Sequence, residues 1–195
     1  MVYNFTKTLT ESDLSRAKTK LKLRLTDFKK QNIIPIGSIV NSIDRLPAYH
    51  LEQLKEITYD AKRTILTSLT QTEQKIPIQS QGIYIQKHRT IAIFNIINKD
   101  LFLHTLFHEI GHHVYFCIIG QRLKNIWVTD IYRKDSFITN YASLNAAEDF
   151  AESYASYLLN PQGLETIPIK YNFLKNFLFE GKERPTPPEK LNLHL

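Results

Sequence analysis

The chain has 195 residues, which is enough for one domain with a substantial core. Hydrophobic residues make up 43% and charged residues 23%, so a largely disordered chain is excluded. The only cysteine is Cys117, which excludes an internal disulfide. The net charge of +6 is concentrated between Arg16 and Lys30. Because this stretch lacks an aromatic series that could stack on bases, a solvated helix face is favoured over a nucleic-acid partner.

We expect a single domain over residues 1–195, with a basic N-terminal extension over residues 1–45 and a flexible, proline-rich tail over residues 181–195. The sequence contains neither a recognisable signal peptide nor an apolar segment long enough to span a membrane. These features favour the cytoplasm and no membrane partner, with secretion or delivery to a host cell as the alternative. The sequence does not indicate an oligomeric state.

In the N-terminal half, apolar spacing predicts a helix over residues 14–28, although alternation over 21–25 allows a strand. Residues 33–40 are β-branched and interrupted by proline and glycine, which predicts an edge segment of a sheet. A helix is predicted from Pro47 through Tyr59, because proline favours the first helical turn. A strand is predicted over residues 62–69.

The C-terminal half begins with a clear hairpin and continues mainly in helices. The predicted elements are strands over residues 82–86 and 90–95, a helix over 101–118 with a cap at Asp100 and a stop at Gly120, and helices over 146–159 and 169–180. This order predicts an α+β fold, in which a small mixed sheet packs on the helix of residues 101–118 and a glutamate-bearing helix follows.

The run His108-Glu109-Ile110-Gly111-His112 carries the strongest chemical signal. His108 and His112 lie one helical turn apart on the same face, so both imidazoles can reach one ion. Zinc accepts neutral imidazole nitrogens and lowers the pKa of a bound water to about 7. Glu109 points to one side of the metal and could take the proton from that water. A surface helix with two unrelated histidines is disfavoured, because the motif lies in an apolar helix and buried polar groups need compensation.

The third ligand must come from another segment. A third histidine on the same helix is excluded, because Tyr115 and Ile118 occupy the positions of the extended metzincin motif, and Met1 is the only methionine. Glu148 and Glu152 lie four residues apart on one face of the later helix. Either could ligate zinc while the other accepts a hydrogen bond from a ligand histidine. Asp149 lies on another face and is a weaker candidate.

The remaining polar residues near these motifs are interpreted as structural. His113 is turned away from the ligand face, and His104, one turn before His108, is interpreted as a partly buried structural histidine. Cys117 is interpreted as a small buried apolar residue. His88 and Arg89, at the hairpin tip, are equally well explained by substrate contact and by a solvated turn.

The HEIGHH run and the segment from Tyr141 to Glu152 together resemble the catalytic domain of anthrax lethal factor and the bacterial Pro-Pro endopeptidases. The resemblance covers about residues 82–160 and implies a zincin-like fold with one Zn²⁺ ion. It implies that His108, His112 and Glu148 are the metal ligands and that Glu109 is the general base. Tyr141 would donate to the oxyanion of the transition state, and Glu152 would support a ligand histidine.

The leading hypothesis is therefore a zinc-dependent endopeptidase acting on protein or peptide substrates, which would lie along the outer strand of the hairpin. One alternative is an intracellular regulatory peptidase of the ImmA type, which inactivates repressors and does not require a tyrosine at position 141. The other is a non-catalytic binding module in which zinc only stabilises the fold. The substrate-selecting loops of the family have no counterpart that we recognise in the sequence.

Overall fold

The computed structural model describes residues 23–64 and 80–179. In chain order, these residues form β1 (Arg24–Thr26), α1 (Ile36–Ile43), β2 (Glu56–Tyr59), β3 (Gly82–Ile85), β4 (Thr90–Ile93), α2 (Lys99–His113), α3 (Gln121–Ile126), α4 (Ala146–Leu159), α5 (Pro161–Glu165) and α6 (Pro168–Leu174). Helices α2, α3 and α6 each continue into a π-helical turn, over Val114–Ile118, Trp127–Ile131 and Lys175–Phe179. The predicted α+β class with a small mixed sheet is confirmed.

The sheet has the strand order β1-β2-β4-β3. Strands β1, β2 and β4 are parallel, and β3 pairs antiparallel with β4 as the predicted hairpin. All four residues of β4 are buried, which is expected of a central strand with both faces covered. Strand β3 is last in this order and pairs only with β4, so it lies at an edge of the described sheet, next to the buried strand β4.

Helix α2 carries the HEIGHH run and packs between the sheet and helix α4. Its N-terminal cap is Asn98, whose side chain accepts a hydrogen bond from the backbone N–H of Leu101 at 2.9 Å. The predicted cap at Asp100 was wrong, because Asp100 already lies in the first turn, where its charge favours the helix dipole. The helical region ends at Ile118, close to the predicted stop at Gly120.

Two predictions in the N-terminal half were wrong. The predicted edge segment over residues 33–40 is instead helix α1, whose start follows Pro35 and whose apolar side chains Ile39, Val40 and Ile43 face the core. The predicted helix from Pro47 to Tyr59 contains only a 3-10 turn at Ala48–Leu51, followed by β2. Pairing of Glu56–Tyr59 with two neighbouring strands outweighs the local helical pattern.

The chain from residue 23 to residue 45 is part of the core and does not extend away from it. Leu23, Phe28 and Ile34 are buried in the same cluster as the sheet, and residues 24–26 form β1, so the strand alternative for this segment is correct. The rest of the helix predicted over 14–28, most of the strand predicted over 62–69 and the tail over 181–195 lie outside the described residues.

The helices after the site follow their sequence signals closely. Helix α4 has the predicted bounds, and the last helix starts at Pro168 and continues through the π-helical turn to Phe179. Within residues 23–64 and 80–179, no helix is both long enough and apolar enough to cross a membrane.

Candidate metal centre

Helix α2 presents two histidines on one face, as its periodicity predicts. The Nε2 atoms of His108 and His112 are 3.1 Å apart, and the two rings meet almost edge to face. The side chain of His108 is 10% exposed and that of His112 is 12% exposed. Both rings therefore reach from the protein interior to a single point near the surface.

Helix α4 brings Glu148 to the same point. Asn145 caps this helix, and its side-chain oxygen accepts hydrogen bonds from the backbone N–H groups of Ala147 and Glu148, each at 3.0 Å. This cap fixes the first turn, where Glu148 lies. Its Oε2 atom is 3.2 Å from Nε2 of His108 and 3.1 Å from Nε2 of His112. Three donor atoms from two helices thus converge.

The two helices can approach this closely because Gly111 faces Ala151. A Cβ added to Gly111 would lie 2.9 Å from the Cα of Ala151 and 3.2 Å from the Cβ of Tyr154. Real Cβ atoms essentially never make a contact as short as 2.9 Å. Glycine inside a helix costs about 1 kcal/mol relative to alanine. This cost is offset by an approach that brings Glu148 within reach of the histidines.

The donor set fits one zinc ion. It consists of two imidazole nitrogens and one carboxylate oxygen, all within 4.8 Å of one another, which leaves a fourth position for water or substrate. Donors bound to tetrahedral zinc at about 2.0–2.1 Å lie about 3.3 Å from one another, close to the three separations found here. With both imidazoles deprotonated, their nitrogens and the carboxylate present lone pairs at this point, and one cation satisfies all three.

The electrostatics of the site favour positive charge among the donors. Burial alone would lower the pKa of His108, but the carboxylates of Glu148 and Glu152 outweigh burial and raise this pKa to about 10. Burial raises the pKa of Glu148, yet its contacts with His108 and His112 lower it to about 2. The carboxylate is thus held ionised beside the imidazoles, as a metal ligand must be.

Glu152 lies behind His108 and not among the three converging donors. Its Oε1 atom is 2.8 Å from Nδ1 of His108, a close ion-pair contact without the angle of a straight hydrogen bond. Its Oε2 atom accepts a hydrogen bond from the hydroxyl of Thr139 at 2.8 Å and lies 3.6 Å from Nε2 of His104. Burial opposes its charge, but His104 and His108 lower the pKa of Glu152. The carboxylate is thus placed to fix the orientation of the His108 ring.

Glu109 points toward the edge strand β3. A Cβ added to Gly82 in this strand would lie 3.3 Å from the Cγ of Glu109. Burial raises the pKa of Glu109, and the neighbouring His108 and His112 only partly counteract this effect. Glu109 is therefore a buried carboxyl group beside the donor set but not among the atoms that converge.

Tyr141 lies beside His108, in the 3-10 turn Tyr141–Leu144 that precedes helix α4. Its ring centroid is 5.8 Å from that of His108, and 51% of the residue is exposed to solvent. Burial of the hydroxyl and the charges of Glu148 and Glu109 raise the pKa of Tyr141, so its O–H remains a donor at neutral pH. The structure thus brings all six of the predicted site residues into one region.

The residues next to the motifs have clear structural partners. His113 is fully buried, and its ring nitrogens are 2.9 Å from the hydroxyl of Tyr84 and 2.9 Å from the carbonyl oxygen of Glu52. The interpretation of Cys117 as a buried apolar residue was wrong. Cys117 is half-buried, and its sulfur atom contacts the hydroxyl of Tyr84 and the guanidinium of Arg89. Arg89 at the hairpin tip therefore turns inward.

Two residues near the site were missed in the sequence. Lys170 is fully buried and forms an ion pair with Asp149 at 2.5 Å, which also explains why Asp149 is not a ligand. The sequence did contain a signal for Lys170, because a lysine among apolar residues of a helix is expected to need a buried acidic partner. Thr139 lies in an irregular segment, where no periodicity could have connected it with Glu152.

No protein-family model matches the chain, and no curated protein matches it in sequence. Among solved structures, the chain is similar to the Pro-Pro endopeptidase from Paenibacillus alvei. The identity is 18%, the match covers 82% of this chain and 98% of that chain, and the TM-score is 0.48. This likeness is too distant to assign the chain to a family.

Proposed function

We propose that the protein is a zinc-dependent endopeptidase of the lethal-factor-like type, formed by one domain. The observation that carries the proposal is the convergence of His108, His112 and Glu148 within 4.8 Å, next to a buried carboxyl group that is not part of the donor set. A purely structural zinc site is closed by four protein ligands, whereas three leave room for substrate or water. When bound, zinc supplies Lewis acidity, which polarises a carbonyl and makes water nucleophilic at neutral pH.

Glu109 would act as the general base. Its raised pKa brings it closer to neutrality, where a base both accepts and returns a proton efficiently. Its position between the donor set and β3 is where an attacking water and the nitrogen of a cleaved peptide would need a proton carrier. Tyr141 would donate its hydroxyl proton in a hydrogen bond to the oxygen that becomes negative during the reaction.

The substrate would lie along β3 as an added strand. Among the described strands, β3 has a neighbour on one side only, which leaves one row of backbone groups for an extended peptide. Glu109 contacts the same strand, so the scissile bond of such a peptide would pass the general base. The proposal therefore predicts cleavage within extended, unfolded segments.

The test compares Glu109→Gln with Glu165→Gln, a matched change at an exposed helical glutamate. Glu109→Gln is expected to retain one zinc per chain and to lose nearly all cleavage of a peptide library. Glu165→Gln should cleave like the wild type. Tyr141→Phe should lower kcat about 10²–10³-fold, because it removes one donor to the oxyanion.

Cleavage that persists in Glu109→Gln would contradict the mechanism. Full activity of Tyr141→Phe would instead favour the regulatory peptidase of the ImmA type. Zinc binding without turnover on any peptide, together with loss of stability on chelation, would favour the non-catalytic module.

A further inference from the structure

The turn that carries Tyr141 is attached to helix α4 through Thr139. The hydroxyl of Thr139 donates a hydrogen bond to Oε2 of Glu152 at 2.8 Å and accepts one from the backbone N–H of Ala142 at 3.1 Å. A hydroxyl has one proton and two lone pairs, so it can make both contacts at once. Thr139 is thus connected on one side to the carboxylate that contacts His108 and on the other to the residue after Tyr141.

This attachment matters because the turn has few apolar anchors of its own. Tyr141 is 51% exposed and Leu144 is 60% exposed, whereas Ala142 is fully buried. The backbone N–H of Ala142 is therefore in the buried part of the turn, where an unmatched donor is costly. The hydrogen bond from Ala142 to Thr139 holds the turn at the residue directly after Tyr141.

The segment that leads to the turn is held at a second point. The ammonium group of Lys170 donates to the carbonyl oxygen of Ser136 at 2.9 Å and lies 4.5 Å from the ring centroid of Phe137. This contact fixes the chain three residues before Thr139. The position of Thr139 is therefore determined from both directions along the chain.

We propose that Thr139 is a positioning residue, which holds both the Tyr141 turn and the Glu152 carboxylate relative to His108. The inference rests on the proposed zinc peptidase function and deepens it, because one hydroxyl would set the metal ligand and the oxyanion donor together. Loss of this hydroxyl leaves the three donor atoms in place but removes one restraint on Glu152, which contacts His108, and one on the turn that carries Tyr141. Changes behind a metal ligand typically cost 10–100-fold in affinity or activity.

The experiment measures zinc affinity and steady-state peptide cleavage on the full chain. Thr139→Val keeps the shape of the side chain and removes the hydroxyl, and Thr139→Ser restores a hydroxyl. The control is Thr129→Val, since Thr129 is an exposed threonine whose hydroxyl donates only within its own helical segment. Zinc affinity is obtained by competition with a chromophoric chelator, without the need for a substrate.

Thr139→Val is expected to raise the Kd for zinc about tenfold and to lower kcat about tenfold, with KM changed less than about twofold. Thr139→Ser should recover most of both losses, and Thr129→Val should match the wild type. In the Tyr141→Phe background, Thr139→Val should lower kcat by much less than tenfold, because the tyrosine that it positions has already lost its hydroxyl.

The proposal is overturned if Thr139→Val has the zinc affinity of the wild type, or if its effect on kcat is undiminished in the Tyr141→Phe background. If Thr139→Val fails to fold, Thr139→Ala carries the same expectations. If the wild-type chain cleaves no peptide, the proposed function fails. In that case the zinc affinities alone decide whether Thr139 positions the ligand support.

Discussion

Removal of the buried charge of Lys170 should cause a large loss of stability. Its ammonium group is fully buried, lies 2.5 Å from Asp149 and contacts the carbonyl oxygen of Ser136. In Lys170→Met the chain keeps a long apolar side chain, but Asp149 loses its partner. Breaking a buried ion pair by removing one member typically costs about 3–5 kcal/mol, because the other charge stays buried.

The expected cost can be separated from a simple packing defect. Asp149 is also fully buried, and its second carboxylate oxygen has no hydrogen-bond partner within the described residues. An unpaired Asp149 therefore has little to compensate its desolvation. The double variant Lys170→Met with Asp149→Leu removes both charges, so its loss of stability should be smaller than that of Lys170→Met alone.

The assay is equilibrium unfolding in urea, followed by circular dichroism on the full chain. With a slope of about 2 kcal/mol/M, a loss of about 3–5 kcal/mol lowers the midpoint by about 1.5–2.5 M. A suitable control is Lys175→Met, since Lys175 is only partly buried in the π-helical turn that follows. A loss below about 1 kcal/mol in Lys170→Met, or a double variant less stable than the single one, would refute the reasoning.

Two further predictions concern helix packing and pH. Gly111→Ala should lower the free energy of unfolding and weaken zinc binding, because the added Cβ would lie 2.9 Å from the Cα of Ala151. These losses are expected even though alanine favours a helix more than glycine does. Thermal unfolding measures the first effect, and chelator competition measures the second. Burial lowers the pKa of His50 to about 3. As the pH falls below about 6.5, the unfolded chain therefore takes up a proton at His50 that the folded chain does not. The stability that neutral His50 contributes is complete above about pH 6.5 and declines as the pH falls toward 3. Unfolding measured at pH 7 and pH 5 should therefore show a smaller pH dependence in His50→Gln than in the wild type, and equal slopes would contradict the neutral, buried state.

Local signals predicted the parts of the fold that depend on local structure. The hairpin and the helices with the HEIGHH run and Glu148 were found because their alternation, periodicity and terminating residues all indicate the same elements. The N-terminal half was predicted less well. Strand β2 is a strand because it pairs with β1 and β4, and these partners are 32 and 34 residues away along the chain. Pairing over such distances leaves no pattern within a short window.

The candidate site shows the same limit. Spacing was sufficient to place His108 and His112 on one face, but it left Glu148 and Glu152 as equivalent candidates. The geometry separates them, because Oε2 of Glu148 lies 3.1–3.2 Å from both Nε2 atoms whereas Glu152 contacts His108 at its other nitrogen. That distinction depends on how helix α4 is rotated against α2, which periodicity within one helix cannot specify.

The rotation of α4 follows from the contacts of its first two turns, each on a different side of the helix. Ala151 packs on Gly111, Asp149 pairs with Lys170, and Glu152 receives the hydroxyl of Thr139. Those three contacts fix the rotation of α4, and Glu148, which shares a face with Glu152, is thereby directed toward the histidines. The proposed metal ligand is therefore oriented by contacts that bind no metal, and we expect the donor geometry to exist before zinc arrives. A preformed site loses little conformational entropy on binding, and this favours both tight zinc binding and a rigid catalytic centre.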